Sequence, residues 1–283
     1  MPSNNKSILI TGCSTGIGYC VAKGLQERGY RVFATARRTE SVEALDKEGL
    51  ESLHLDLDDS DSIRAAVDEV LERSGGELYA LFNNGAYGIP GAVEDLSRET
   101  LRTQFETNVF GWQELTNLII PVMRRQGYGR IIQNSSVLGF VAMPFRGAYN
   151  ASKFAIEGLS DTLRLELADT DIHISLVEPG PILSQFRATG VKMLEKHIDI
   201  ENSIHHDKYI GVLARLKKEG PAVPFTLPPE AVLKKVIHAL EARHPKTRYY
   251  VTFPTYLFGY LKRLLPDRLM DKILASAGGG GKR

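Results

Sequence analysis

Cysteine is scarce in this chain: its 283 residues include two, Cys13 and Cys20. Two thiols cannot build a disulfide framework, which predicts a reducing compartment, and without a Cys-x-x-Cys spacing a redox role has no footing. An excess of one charge is also missing. Lys+Arg 35 against Asp+Glu 34 leaves +1, so nothing attracts a polyanion and nucleic-acid binding is excluded as the function. No apolar run approaches the roughly 20 residues of a membrane span. The start, Met1 to Lys6, is polar and leads straight into Ser7-Ile8-Leu9-Ile10, too short an apolar stretch for a signal peptide. No internal repeat and no Gly/Ser linker divides the chain. These absences predict a cytoplasmic globular protein, long enough to bury about three quarters of its unfolded surface without staples. Length alone allows about 1.9 domains, one or two.

What is present is a rhythm. Ser7 to Thr11, Arg31 to Ala36, Leu53 to Leu57, Leu78 to Phe82, Arg130 to Asn134 and Ile172 to Val177 read as buried strands. Helical spacing lies between them, as in Leu101, Phe105, Trp112, Leu115, Ile119 and Val122, whose intervals put them on one face. Strands spaced by helices predict an α/β protein built on a doubly wound parallel sheet. Residues 184 to 229 break the rhythm with mixed charge, His197, His205 and His206, and four prolines; they read as an irregular insertion. The Gly-rich tail from Gly278 reads as disordered.

The first strand runs into Thr11-Gly12-Cys13-Ser14-Thr15-Gly16-Ile17-Gly18, followed by a helix. Glycines there let the backbone turn sharply and approach a pyrophosphate, with the helix N-terminus facing it. The second strand ends at Ala36 with Arg37 and Arg38 beyond it. A carboxylate at that place would bind the ribose 2′-hydroxyl of NAD, whereas two guanidiniums suit the 2′-phosphate of NADP. The expected cofactor is NADP(H).

Tyr-x-x-x-Lys sets a phenol and an ammonium on one helix face, and the ammonium is expected to draw the phenol toward a working acid–base pKa. The spacing alone is cheap, and the sequence has it twice, at Tyr19/Lys23 and Tyr149/Lys153. Tyr19 sits in the first turn of the phosphate-binding helix. Tyr149 opens a helix after a strand that ends in Asn134-Ser135-Ser136, at the carboxyl edge where α/β active sites form. Tyr149/Lys153 is therefore the expected chemical pair and Tyr19/Lys23 a decoy. His205 and His206 with Glu201 and Asp207 read as a solvated insertion, so no metal site is expected.

These segments follow a familiar order: the glycine turn, Asp56-Leu57, Asn83-Asn84-Gly85, Asn108-Val109-x-Gly111, Ser135-Ser136, Tyr149-x-Ala151-Ser152-Lys153 and Pro179-Gly180. Over roughly residues 6 to 183 the chain resembles the short-chain dehydrogenase/reductase family. One departure stands out: the family's usual Asn-Asn-Ala-Gly reads Asn83-Asn84-Gly85-Ala86. The resemblance implies a Rossmann-like sheet in a single domain over 1–253, with a substrate lid at 184–229 and an extension at 254–283. It also implies hydride transfer between nicotinamide and a carbonyl or alcohol carbon. Ser136, 13 residues before Tyr149, would bind the substrate oxygen; Tyr149 would exchange its proton. Lys153 would hold the nicotinamide ribose, and Asn108 would maintain a proton relay. Gly12, Ser14, Thr15, Gly16, Ile17, Gly18, Asp56, Leu57, Asn84, Gly85, Pro179, Gly180 and Ile182 are the implied dinucleotide contacts. The implied assembly is a homodimer or homotetramer.

Apolar residues of the insertion (Phe186, Val191, Met193, Leu194, Ile210, Val212, Leu213) and of the loop near the pair (Leu138, Phe140, Val141, Met143, Phe145) are expected to line the substrate pocket. The glycine turn, Glu178-Pro-Gly-Pro181 and the end Leu265 to Leu274 most resemble the branch of bacterial NADP-dependent aldehyde reductases and of 17β-hydroxysteroid and retinol dehydrogenases. The expectation is an aldehyde or ketone reductase of broad apolar specificity, with hydroxysteroid- or retinol-type alcohol dehydrogenation as the alternative. A dinucleotide-sensing protein without turnover is a third reading, disfavoured because the Ser/Tyr/Lys set is whole. Tyr256 to Leu274 mixes aromatics and leucines with Lys262, Arg263, Arg268 and Lys272. Contact with a membrane surface is conceivable for such a helix, but packing over the pocket or a partner subunit is the preferred reading.

Overall fold

The computed structural model describes residues 6–278; apart from Gly278, the tail read as disordered lies outside the described residues. The first half runs β1 Ser7–Ile10, α1 Gly16–Glu27, β2 Arg31–Ala36, α2 Thr39–Lys47, β3 Glu51–His54, α3 Ser60–Ser74 and β4 Ala80–Asn83. Then come α4 Arg98–Phe105, α5 Trp112–Gln126, β5 Gly129–Asn134, α6 Gly147–Glu166 and β6 Ile172–Glu178. The chain closes with α7 Phe186–His197, α8 His206–Lys217, α9 Glu230–Glu241, β7 Arg248–Tyr250, α10 Phe253–Leu264 and α11 Asp267–Ala277.

All seven strands are parallel in the order β3-β2-β1-β4-β5-β6-β7. Alternation along β1 explains the unbroken apolar run: Ile8 and Ile10 enter one core with Val21, Leu25 and Val232, while Leu9 enters the other with Trp112, Leu115 and Ile156. Strand order reverses between β1 and β4, and that reversal opens a crevice at the strands' carboxyl ends. One sheet carries both halves, so the molecule is a single Rossmann-like domain.

Several segments differ from the sequence reading. Leu55 and Leu57 are buried like strand residues, but β3 stops at His54 because an Asx turn follows, with Asp58 N–H donating to Asp56 Oδ1 at 3.1 Å. Leu78 precedes β4 because the Gln126 side chain, not a strand, takes its N–H (3.1 Å) and its carbonyl (2.8 Å). The long helix over 101–122 is two helices separated by a π-helical turn, Glu106–Gly111. That turn rotates the faces, so Leu101 is exposed while Trp112, Leu115 and Ile119 are fully buried.

The insertion is not irregular. Helices α7 and α8 pack together around Leu194, Ile198, Tyr209 and Val212, with Ala92 from the body of the domain. Leu194 and Val212 therefore cement the lid rather than line a pocket, and Ile210 points outward. Helices α10 and α11 cover the loop after β5, where Phe258, Met270 and Leu274 bury Val137, Leu138 and Val141. Leu138 and Val141 are thus pinned beneath the extension. No helix among the described residues is long and apolar enough to cross a membrane.

Candidate active site

At the end of β1, Gly12 adopts φ +72° and its Cα lies so close to the next loop that a Cβ would stand 2.6 Å from Gly85 Cα. A Cβ on Gly18 would lie 2.2 Å from the Gly12 carbonyl oxygen. Only glycine fits either place. Thr15 leads into α1 without a side-chain bond to the helix's first amides, and Ser14 and Thr15 are exposed beside them. Those unpaired N–H groups form a cradle for an anion, with Gly16 and Ile17 in its first turn. The turn itself is held by Asn84, whose amide donates to the carbonyls of Thr11 (3.0 Å) and Gly12 (3.2 Å), and whose Oδ1 accepts from Asn134 (2.9 Å). The backbone N–H groups of Asn84 and Gly85 also donate to the Thr11 side-chain Oγ1, each at 2.8 Å. The Gly85-Ala86 inversion is accommodated by this clamp.

Arg37 and Arg38 are exposed past β2. Arg38, Ser14, Tyr19, Ser41 and Glu48 bound a cavity of about 370 Å³ beside the glycine turn. The Arg37 charge is felt instead at Asp58, where burial raises the carboxyl and the Thr107 hydroxyl and Arg37 pull it back. Asp56 is partly buried with its N–H on Ser62 Oγ, and Leu57 is buried against Gly85. The decoy pair stays at the surface: Tyr19 donates to Glu48, and Lys23 donates to the Glu48 carbonyl at 3.0 Å.

Tyr149 and Lys153 lie one turn apart on α6, and Lys153 is 1 % exposed. Its ammonium donates to the Asn134 carbonyl (2.8 Å), lies 4.2 Å from the centre of the Trp112 ring and 5.7 Å from that of Tyr149. Burial pushes the ammonium down to about 7, with Glu157 opposing. Burial pushes the Tyr149 phenol up to about 12, and the group that draws it back is Ser136. Desolvation thus outweighs the draw expected from Lys153, whose ammonium is engaged with Asn134 and whose charged form burial disfavours. Ser136 also accepts from the Leu138 N–H at 3.1 Å. Asn108 lies in the π-helical turn, fully buried; its amide donates to the Tyr87 carbonyl (2.9 Å) and Ser152 Oγ (3.1 Å) and accepts from the Tyr87 N–H (3.2 Å). Pro179 accepts from the Val137 N–H at 2.8 Å, Gly180 packs against Thr252, and Ile182 bridges to Leu227. The crevice therefore carries an anion cradle at one end and a serine–tyrosine–lysine group at the other.

A family model described as short chain dehydrogenase matches residues 6–194. The chain belongs to the short-chain dehydrogenases. Over 95% of its length, and 94% of the relative's, it is 43% identical to the uncharacterized oxidoreductase YbbO of Escherichia coli K12. It is 30% identical to the NADPH-dependent 3-dehydrocapnine reductase of Ornithobacterium rhinotracheale, covering 94% of both chains. The crystal structure of a short-chain dehydrogenase from Streptomyces avermitilis superimposes with a TM-score of 0.76 at 28% identity, over 92% of this chain and 93% of that one. The protein is thus an oxidoreductase of this family with an NAD(P)-binding fold, and the glycine cradle and uncapped helix fit the dinucleotide.

In this short-chain dehydrogenase the lid leans on the phenol: the Phe186 ring meets Tyr149 edge-on at 5.3 Å. A cavity of about 900 Å³ separates the glycine turn from the lid, bounded by Thr15, Gly16, Leu183, Arg187, Val191 and Leu216. Phe145 packs against His205 and Tyr209 of the lid rather than toward the phenol. His205 pairs with Glu94, and His206 with Asp207. Cys13 is fully buried, and desolvation pushes its thiol up to about 12.

Sequence reasoning missed a buried ionic group beneath Lys153. Arg248 Nη2 contacts Glu157 Oε2 at 3.0 Å and Asp161 Oδ2 at 2.7 Å, while its Nε contacts Glu178 Oε1 at 3.2 Å. Glu157 follows Lys153 by four residues and so was readable from helical spacing. Nothing local marks Arg248, which reaches the group only through β7 pairing with β6.

Proposed function

We propose that this protein reduces an apolar aldehyde or ketone to the alcohol with NADPH, Tyr149 supplying the proton. The observation that carries the reading is the convergence of Ser136, Tyr149 and Lys153 at the carboxyl edge, with Phe186 of the lid on the phenol. When bound, the nicotinamide supplies the hydride. Ser136 orients the carbonyl oxygen and Tyr149, protonated up to high pH, donates to it as charge develops. Lys153 holds the ribose and Asn108 keeps α6 in register with the loop after β4. Arg38, facing the cavity beside Ser14, takes the 2′-phosphate with Arg37 as its neighbour; the NADPH named for the O. rhinotracheale relative agrees with this choice. Asp56 and Leu57 hold the adenine, and Pro179 to Ile182 brace the nicotinamide.

The catalytic unit in this reading is 1–253, with 254–283 as an extension whose helices α10 and α11 close one wall. The protein works in the cytoplasm, where its two thiols stay reduced. It works as a homodimer or homotetramer, and exposed Phe110, Phe154 and Leu165 on the π-helical turn and α6 offer the surface. Loss of NADPH absorbance with a panel of aliphatic, aromatic and steroid carbonyls tests the function. Turnover with several apolar carbonyls is expected; none with any of them would overturn it. With R38D, the preference for NADPH over NADH is expected to fall roughly tenfold or more; an unchanged ratio would remove the phosphate assignment.

A further inference from the structure

Three carboxylates meet one guanidinium between α6 and the β6–β7 edge of the sheet, two of them buried and one at the rim. Glu178, at the end of β6, is 0 % exposed, Glu157 is 7 % exposed, and Asp161 lies at the rim. Arg248 reaches one oxygen of each glutamate. The other oxygens, Glu157 Oε1 and Glu178 Oε2, lack a hydrogen-bond partner; the Ser135 hydroxyl, likewise unpartnered, stands beside Glu157, and nothing comparable faces Glu178 Oε2 among the described residues. Buried carboxylate oxygens without donors are costly, and two buried anions in contact are costlier still. A single proton between them removes both penalties. Glu178 is the member to carry it, because it is the more deeply buried and has the longer contact with Arg248.

We propose that Glu157 and Glu178 form a one-proton positioning pair clamped by Arg248, and that the charge left on Glu157 keeps Lys153 cationic beneath the active site. The proposal rests on the reading of Tyr149 and Lys153 as the chemical pair. The charged and titratable groups facing the pair are Lys153 and Asp161 on α6, with Arg164 on Asp161, and Arg248 and Tyr250 on β7. Against Lys153 itself stand the Asn134 carbonyl and the Trp112 ring, which do not titrate, and the Tyr149 phenol, whose ring centre lies 5.7 Å away and which burial keeps protonated up to about 12. Glu157 is the anion one turn along α6 from the lysine, while Asp161, a further turn on, is held by Arg248 and Arg164.

Infrared spectroscopy of the wild-type chain reads the pair without any substrate. Expected is a protonated-carboxyl band that persists at about pH 8 and is missing from E178Q, since free carboxyls have ionised far below that pH. A spectrum without the band, or a band that survives in E178Q, overturns the pair. The second arm is the pH profile of kcat/KM for carbonyl reduction. E157Q is expected to move its alkaline limb to lower pH by roughly one unit or more, because an attractive charge is removed from Lys153. E178Q, a shape-matched copy of the protonated partner, moves the limb by much less. Should E157Q fail to fold, E157D, with its carboxylate drawn back by one methylene, moves the limb the same way by a smaller amount. A limb that stays in place in these Glu157 variants overturns the link to Lys153. Complete inactivity of wild type toward carbonyls would instead overturn the proposed reaction, leaving the infrared result to stand by itself.

Discussion

The catalytic edge and the lid sit side by side and are built in opposite ways. Around Tyr149, each polar group is tied to an element other than its own: Lys153 to the end of β5, Asn108 to the loop after β4 and to α6, Asn84 to the turn after β1 and to β5. The lid's α7 and α8 share a small core of their own, Leu194, Ile198, Tyr209 and Val212 with Ala92, and meet the domain through side chains at its rim: Tyr209 and Ser203 on Asp95, His205 on Glu94, Phe145 on Tyr209, and Phe186 on Tyr149. Cross-tied buried polar groups specify one geometry, while a small separate core can be exchanged without disturbing it. On the proposed reading, the chemistry is held by the sheet's edge and substrate choice is left to the α7–α8 pair.

The largest effect is expected at the fixed edge. Y149F should lower turnover roughly a hundred- to ten-thousand-fold while NADPH binding, read by fluorescence titration, stays as in wild type. Comparable loss of binding would mean the phenol has a structural role instead. Next comes the lid's own core: L194A should cost about 2–5 kcal/mol locally. Hydrogen exchange in α7 and α8 should accelerate while that of β5 and β6 is unchanged; parallel acceleration in both would abolish the contrast between the regions.

A smaller effect concerns stability and pH. Burial lowers the Lys153 pKa to about 7, so above that pH the unfolded chain binds the extra proton. Stability from this group therefore rises between pH 7 and the ordinary lysine value near 10.4, by about 1.4 kcal/mol per pH unit. K153M lacks that rise, so its melting temperature relative to wild type should be highest at pH 6 and fall steadily toward pH 9. A difference that does not change with pH would mean the ammonium is not buried at a cost. The smallest effect is at the seam. F186A removes an edge-on ring contact worth about 0.5–1.5 kcal/mol, so kcat/KM for large apolar carbonyls should fall roughly three- to tenfold with little change for small ones.

The two regions were also unequally legible in the sequence. Strand periodicity located six strands, with β2 matching residue for residue, because buried parallel strands give unbroken apolar runs. The glycine turn and the Tyr149/Lys153 face were readable because each depends on spacing within one element. The lid helices were missed: Tyr209, Val212, Leu213 and Leu216 do repeat at helical intervals, but charge, Gly211 and the prolines beyond Lys217 hid the pattern. The break at Glu106–Gly111 was invisible, since a π-helical turn adds a residue without a composition signal. Arg248 was out of reach entirely. Its role depends on which strand β7 pairs with, and that is a tertiary fact.

The proposed reaction is hydride transfer to a carbonyl carbon beside Tyr149. It is tested most directly with NADPH carrying deuterium at the transferable position, incubated with wild type and with Y149F and an apolar ketone. Deuterium is expected on the carbinol carbon of the product with wild type, with little or no labelled alcohol from Y149F although the dinucleotide is bound. Cofactor bound by wild type with no deuterium in any product, or labelled alcohol formed at equal rates by both proteins, would contradict it.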